Sequence, residues 1–499
     1  GDSGSDTLTV EYTPSTNKAE ILGDSGSDII SLYATDGDVL LHGGLNSDVI
    51  NLGTTTHLVD QILGIVYISG EDHDAGSTTL TIRTDSNALD SGDTLNFNDY
   101  ANNAINTYTL TATTIQRTGT SQVTYETIET VNLNSGTASD IINVINTAAG
   151  INTVVNNEGT NVGVDTINVT TTGEASNTIV KTYRGLDLIK IEDTGFSSYT
   201  EIFSGDNNDE VIIQQIGVDA RLEVNAGSGS DYVGLRTSAI GSLININGGE
   251  NSDLVDIGNV GNNLDELLGD VYVQGDGHDA ILKTILPIRG VSNSLHRGDI
   301  LNLNDYEDDS DNTYTLTATT FQRSGTGLLT YATIETLNVN TGTGADTINI
   351  TSTTDSVNTT INASGANTGV DTVTVTITGA SSNVVVNTFA EKDVITVTNT
   401  GANSYTIINS EIDNDTVTLK ATGANSRVQV NSFDGTDTVN LWRSGTGSLT
   451  DINGGLNSDV INIDSPSNSL DGVLGAVFVQ GDAHDTGSTI LNIRGESNI

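Results

Sequence analysis

DTVTV (Asp371–Val375), DVITV (Asp393–Val397), DTVTL (Asp415–Leu419), DTVNL (Asp437–Leu441) and DVINI (Asp459–Ile463) begin at a constant step of 22. Each is an aspartate followed by a short alternation of apolar and polar residues. Alternation with period two puts one face of a strand in a core and the other in water. DTINI precedes the series at Asp346, a step of 25 before Asp371. The same pattern, with the same steps, runs through Asp140, Asp165, Asp187, Asp209, Asp231 and Asp253, and Asp6 and Asp28 are again 22 apart. A second short strand, such as NVVVN from Asn383 or RVQVN from Arg427, usually follows within the same window. One such coil cannot bury its apolar face alone, but stacked coils share a continuous core. The reading is therefore an all-β fold: a parallel β-helix, or β-solenoid, with coils of about 22 residues. Coils would stack at about 4.8 Å, and a fully coiled chain would be a rod on the order of 100 Å long.

A longer repeat encloses the short one. LNFNDY (Leu95–Tyr100) returns as LNLNDY (Leu301–Tyr306), and TYTLTATTIQRTGT from Thr107 returns as TYTLTATTFQRSGT from Thr313, both 206 residues on. GGENSD from Gly248 matches GGLNSD from Gly454 at the same offset. The coils are thus arranged in 206-residue super-repeats: a partial unit over 1–94, a full unit over 95–300 and a nearly full one over 301–499. Residues 260–340 depart from the short period. They are expected to form irregular coils or a strand-rich excursion, with a separate β-sandwich as the alternative. The closing ILNIRGESNI matches a stretch that continues elsewhere into GDTLNFNDY, so the natural protein or its assembly is expected to extend past both ends.

Composition narrows the function classes. Seventeen Lys and Arg stand against 65 Asp and Glu, a net charge of -48. Such a surface repels nucleic acid and anionic lipid and attracts cations. No apolar run reaches the length of about 18 residues that spans a membrane, so no membrane insertion is expected in this segment. Cysteine is absent, which rules out a disulfide framework. Thr, Val, Ile and Asn dominate and Pro is scarce, a composition of strands and tight turns rather than of disorder.

GDSGSDTLT (Gly1–Thr9), GDSGSDIIS (Gly23–Ser31) and AGSGSDYVG (Ala226–Gly234) resemble the glycine/aspartate nonapeptide of haemolysin-type calcium-binding repeats. GGLNSDVIN (Gly43–Asn51 and Gly454–Asn462) and GGENSDLVD (Gly248–Asp256) look like weaker versions. The long unit is similar to the β-strand repeats of very large bacterial surface proteins. That resemblance implies an extracellular, cell-surface location and calcium as a possible ligand, and it implies no single activity. The family's coil joins two nonapeptides, whereas here the coil is about 22 residues. The glycines are also missing before Asp187, Asp393 and Asp415.

Stacked aspartates about 4.8 Å apart repel by about 1 kcal/mol in water and by about 3–4 kcal/mol at an effective dielectric of 20. The column must be neutralised or hydrogen-bonded. Calcium candidates are Asp6, Asp28, Asp48, Asp209, Asp231, Asp253 and Asp459. The alternative is that each aspartate accepts backbone N–H bonds within its own turn. Three of the six histidines share one repeat position: His73 in EDHD, His278 in GDGHD and His484 in GDAHD. They are candidates for a transition metal or a pH-sensitive contact, against a plain turn role. No catalytic cluster unique to one copy stands out, aromatics are sparse, and the sole tryptophan, Trp442, has no match in the other copy. The expectation is a non-enzymatic, structural element of a fibre, filament or sheath, self-associating end to end, with divalent cations bridging its acidic surface. The alternatives are an adhesin stalk that binds a host or matrix ligand and, more remotely, a β-helical polysaccharide-active enzyme.

Overall fold

Strands of four or five residues with Val, Ile or Leu at every second position bury half their side chains only if like positions stack in register. The computed structural model, which describes all residues except 54–57, 157–162, 364–368, 468, 482–487 and 496–499, has this arrangement. The chain forms two compact units, Gly1–Glu250 with Leu268–Tyr272, and Asn251–Leu267 with Val273–Ile499. Each is a parallel β-solenoid in which successive coils add one strand to each of two sheets.

In the first unit one sheet runs Thr7–Val10, Ile29–Leu32, Val49–Leu52, Thr94–Asn98, Thr130–Asn134, Asn152–Asn156, and on to Leu243–Glu250, every pairing parallel. Register places Leu133, Val155, Val180, Ile202, Val224 and Ile246 in one column, all fully buried. The opposite sheet stacks Ile142, Ile167, Ile189, Val211 and Val233 in the same way. In the second unit Val373, Ile395, Val417, Val439 and Ile461 form one column and Ile361, Val386, Ile408, Val430 and Ile452 another. Strand ends carry asparagine ladders. Asn340, Asn362, Asn387, Asn409, Asn431 and Asn453 each donate an Nδ2–H to the Oδ1 of the asparagine one coil before, beginning at Asn304, at 2.7–2.9 Å. A hydrogen bond of this kind contributes roughly 0.5–1.5 kcal/mol net, and each also fixes coil register.

The segment that breaks the regular step stays within the solenoid. Thr107–Leu110, Thr114–Arg117 and Val123–Glu126 form an antiparallel meander. Its outer strands pair in parallel with Ile141–Val144 and Val66–Asp72, so the meander is spliced into a sheet face. In the second unit Thr313–Leu316, Thr320–Arg323 and Leu329–Ala332 repeat it. Irregular coils and one two-stranded hairpin (283–296), not a separate sandwich, account for the strands described between 260 and 340. A buried ion pair holds each meander. Arg117 Nη1 lies 2.9 Å from Asp99, which also accepts the Tyr108 hydroxyl at 2.7 Å. Arg323 Nε lies 2.8 Å from Asp305, which accepts Tyr314 at 2.6 Å, and Arg323 also meets Asp308. The repeated NDY and QR motifs therefore form an internal polar clamp.

One hairpin in each unit leaves the coils. Thr78–Ile82 and Asp85–Leu89 form a hairpin that lies along the outer face of its unit. Arg221 Nε reaches Asp85 at 2.6 Å, Arg83 reaches Asn245 at 3.1 Å, and Asn87 donates to Ala175 O at 2.9 Å. The hairpin Lys283–Ile288 and Val291–His296 does the same in the second unit: Arg289 pairs with Asp451 at 2.9 Å, Asn293 donates to Ser381 O at 2.9 Å, and Leu286 and Ile288 pack on Tyr405. Each hairpin straps several coils together.

Candidate functional site: carboxylate ladders and histidine clusters

The aspartates do stack, but across coils rather than within their own turns. The backbone N–H of Asp6 donates to Oδ1 of Asp28, that of Asp28 to Asp48, that of Asp48 to Asp93, and that of Asp93 to Glu129 Oε2, at 2.6–2.7 Å. A second ladder on the opposite sheet starts with Asn106 N–H on Asp140 and runs through Asp165, Asp187 and Asp209 to Asp231. The second unit repeats both runs: Asp253, Asp299 and Glu335 in one, and Asn312 through Asp346, Asp371, Asp393, Asp415, Asp437 and Asp459 in the other. The single column per unit expected from the spacing is thus two. The reason lies in the spacing: the steps from Glu129 to Asp140 and from Glu335 to Asp346 are only half a coil, so the motif crosses to the other sheet.

From Asp28 onward the ladder aspartates accept the preceding N–H of the ladder with Oδ1, and Glu129 and Glu335 accept it with Oε2. The second oxygen of Asp28, Asp48, Asp93, Asp209, Asp299 and Asp437 is buried without a hydrogen-bond partner. Removal from water, helped by neighbouring carboxylates, pushes Asp209 up to about 8, Asp93 and Asp299 to about 7 and Asp48 to about 6, and removal from water alone pushes Asp231 to about 6. A proton held by one of these raised carboxyls relieves repulsion on its ladder neighbours. The residue five positions before the aspartate explains the glycines. A Cβ on Gly23 or Gly454 would stand 2.6 Å from Oδ2 of Asp28 or Asp459. Where a hydroxyl takes that position, Thr182, Thr388 and Ser410 hold down the pKa of Asp187, Asp393 and Asp415 in part. The calcium candidates Asp6, Asp28, Asp48, Asp209, Asp231, Asp253 and Asp459 are all ladder members.

Two ladders end in a histidine cluster. His73 Nδ1 lies 3.3 Å from Glu129 Oε2, and Nε2 lies 3.1 Å from Asp90. Partial burial opposes the imidazolium, but Asp90, Glu129 and Asp93 outweigh it and raise the His73 pKa. His278 Nδ1 lies 3.2 Å from Glu335 Oε1, and its ring is 5.4 Å from that of His296. Among the described residues, His73–Asp93–Glu129 and His278–Asp299–Glu335 are the groups in which three side chains each bring a possible metal-binding atom within 4.8 Å of the others. His484 lies outside the described residues. Asp93, Glu129, Asp299 and Glu335 were not singled out from sequence. Their signal was present: GDTLNF and GDILNL carry the ladder aspartate, and IETVNLN and IETLNVN carry glutamate in its place.

A surface groove of 630 Å³ lies among Tyr183, Arg184, Asp206 and Glu250 and brings no nucleophile–base pair together. No helix among the described residues is long and apolar enough to cross a membrane. No protein-family model and no curated protein matches the chain.

Proposed function

We propose that the chain is a structural repeat segment of an extracellular surface fibre or sheath, made of tandem solenoid units that associate end to end. One observation carries the reading: the devices kept at the 206-residue offset are those that hold coils together. Arg83 with Asn245 and Arg289 with Asp451, Arg117 with Asp99 and Arg323 with Asp305, are the same contacts in two copies. Selection for binding one ligand would concentrate on a unique patch, whereas selection for mechanical continuity acts on every coil. The ends of a parallel sheet also present unpaired N–H and C=O groups, which template addition of another copy. The net charge of -48 keeps rods apart laterally and favours cation bridging. The similarity to β-strand repeats of large bacterial surface proteins supports the location.

Negative-stain electron microscopy with sedimentation velocity at rising concentration tests this. Elongated particles that lengthen with concentration are expected. A globular monomer that does not associate, at low or at raised divalent-cation concentration, overturns the proposal.

A further inference from the structure

The two histidine clusters have a feature that an ion pair does not explain. In the first unit His73 sits between two carboxylates, Glu129 at Nδ1 and Asp90 at Nε2. In the second unit the position of Asp90, 206 residues on, is His296. Asp299 and Glu335 are retained in place of Asp93 and Glu129. Replacing that acid by an imidazole removes the ion pair at the second histidine nitrogen, yet the His–Asp–Glu triple is kept. What both copies keep is therefore a set of three donors whose ligand atoms converge within 4.8 Å. The His296 Nδ1 is buried with no hydrogen-bond partner, and so is Oδ2 of Asp93 and of Asp299, residues that are 0% and 1% exposed.

We propose that each unit holds a divalent transition-metal ion of the zinc class, at His73, Asp93 and Glu129 in one and at His278, Asp299 and Glu335 in the other. Mixed imidazole and carboxylate donors suit zinc, cobalt or nickel rather than calcium. Donors at about 2.0–2.1 Å on one tetrahedral zinc ion lie about 3.3–3.4 Å apart. The ligand atoms here lie within 4.8 Å of one another, so the shell closes by side-chain movements of up to about 1.5 Å. The glutamates are already oriented: Asp93 N–H and Asp299 N–H donate to their Oε2 atoms at 2.7 and 2.9 Å. Gly92 and Gly298 leave the room in which those carboxylates stand, since a Cβ at either would collide with them. Asp90 is a positioning residue for the first ion. It accepts from His73 Nε2 and so fixes the ring with Nδ1 toward the metal. The His296 ring stands 5.4 Å from that of His278, outside this set of three donors.

The test is titration of the full chain with Co²⁺, read by visible absorption and calorimetry, with Zn²⁺ as competitor. Two ions per chain are expected, one per cluster, displaced by Zn²⁺ and not by millimolar Ca²⁺. H73Q and H278Q should each remove one ion and the double variant both, with far-UV circular dichroism unchanged. D90N should weaken only the first ion, by roughly tenfold to a hundredfold. Because variants can misfold, the wild-type Co²⁺ form is also examined by proton NMR for hyperfine-shifted exchangeable imidazole resonances. Stoichiometric binding that survives H73Q/H278Q, the absence of shifted imidazole protons, or displacement by Ca²⁺ overturns the proposal.

Discussion

The buried ladder makes a prediction opposite in sign to the usual behaviour of carboxylates in proteins. Asp415 is 2% exposed. Burial first, then the charges of Asp393 and Asp437, raise its pKa from 3.8 to about 8, against the Asp393 N–H and the Ser410 hydroxyl. The folded state therefore holds this proton more tightly than the unfolded chain does. Its contribution to stability is complete below the unfolded value of 3.8 and is lost as pH rises toward about 8. At about 1.4 kcal/mol per pKa unit, the interval from pH 5 to pH 8 corresponds to at most about 4 kcal/mol. Repulsion is shared with neighbours that titrate together, which leaves about 2 kcal/mol for Asp415 alone. Asp415→Asn keeps an oxygen for the Asp393 N–H, now 2.9 Å away, and removes the titration. The sole tryptophan, Trp442, follows Thr438–Leu441, the strand paired to Thr416–Leu419, so its fluorescence reports urea unfolding at the altered coils. Between pH 5 and pH 8.5 the variant should gain about 2 kcal/mol relative to wild type. Asp309→Asn, an exposed change of equal charge, should show no such gain. A wild type whose stability is flat or rises over this range, or a D415N variant with the wild-type slope, would refute the argument.

Gly23→Ala would place a methyl group 2.6 Å from Asp28 Oδ2 and against Gly43 O, and thermal melting should show a loss of about 1–3 kcal/mol. Arg323→Met leaves Asp305 and Asp308 buried without their cation. A loss of about 3–5 kcal/mol is expected in urea melts, with much of it recovered in R323M/D305N/D308N. Arg289→Ala removes the Asp451 pair and the stacking on Phe478, whose ring lies 4.2 Å away. Hydrogen exchange should then accelerate in the hairpin 283–296 while the amides of 416–419 and 438–441 stay protected.

The period and the buried face were legible because they depend on local alternation alone. Val417 and Val439 reach the same column simply because they stand one full coil apart in the sequence. The ladder itself was legible as a column of charge that needed relief, and the relief could not be read. It depends on the aspartate N–H meeting the next coil's carboxyl, a geometry set by stacking rather than by the turn. The GDSGSD motif resembles a calcium-binding nonapeptide in sequence, whereas in the fold Gly23 provides close approach over the Asp28 carboxyl. The straps were invisible for a different reason: Arg289 and Asp451 are 162 residues apart, and although the pair recurs as Arg83 and Asn245 at the 206-residue offset, that recurrence does not show which residues meet. The histidine position was visible by its recurrence, but its partners were not, because Glu129 and Glu335 replace the expected aspartate and Asp93 follows Asp48 by 45 instead of one regular coil.

The half-coil shift and the histidine clusters belong to one piece of architecture. In an unbroken column every carboxyl would couple to two others, and the column would titrate as one cooperative body along its length. Each handover divides the column. Asp93 passes its N–H to Glu129, and the glutamate N–H turns back to the Asp93 carbonyl instead of a further acid. The longer glutamate side chain also reaches His73. The terminal carboxylate thus faces an imidazole rather than another carboxylate, and His73 lowers the pKa of Asp93 against the rise caused by burial, Asp48 and Glu129. The next run begins on the opposite sheet with Asn106, a neutral residue, as its first donor. Each handover thus ends a run at a glutamate beside a histidine, Glu129 at His73 and Glu335 at His278.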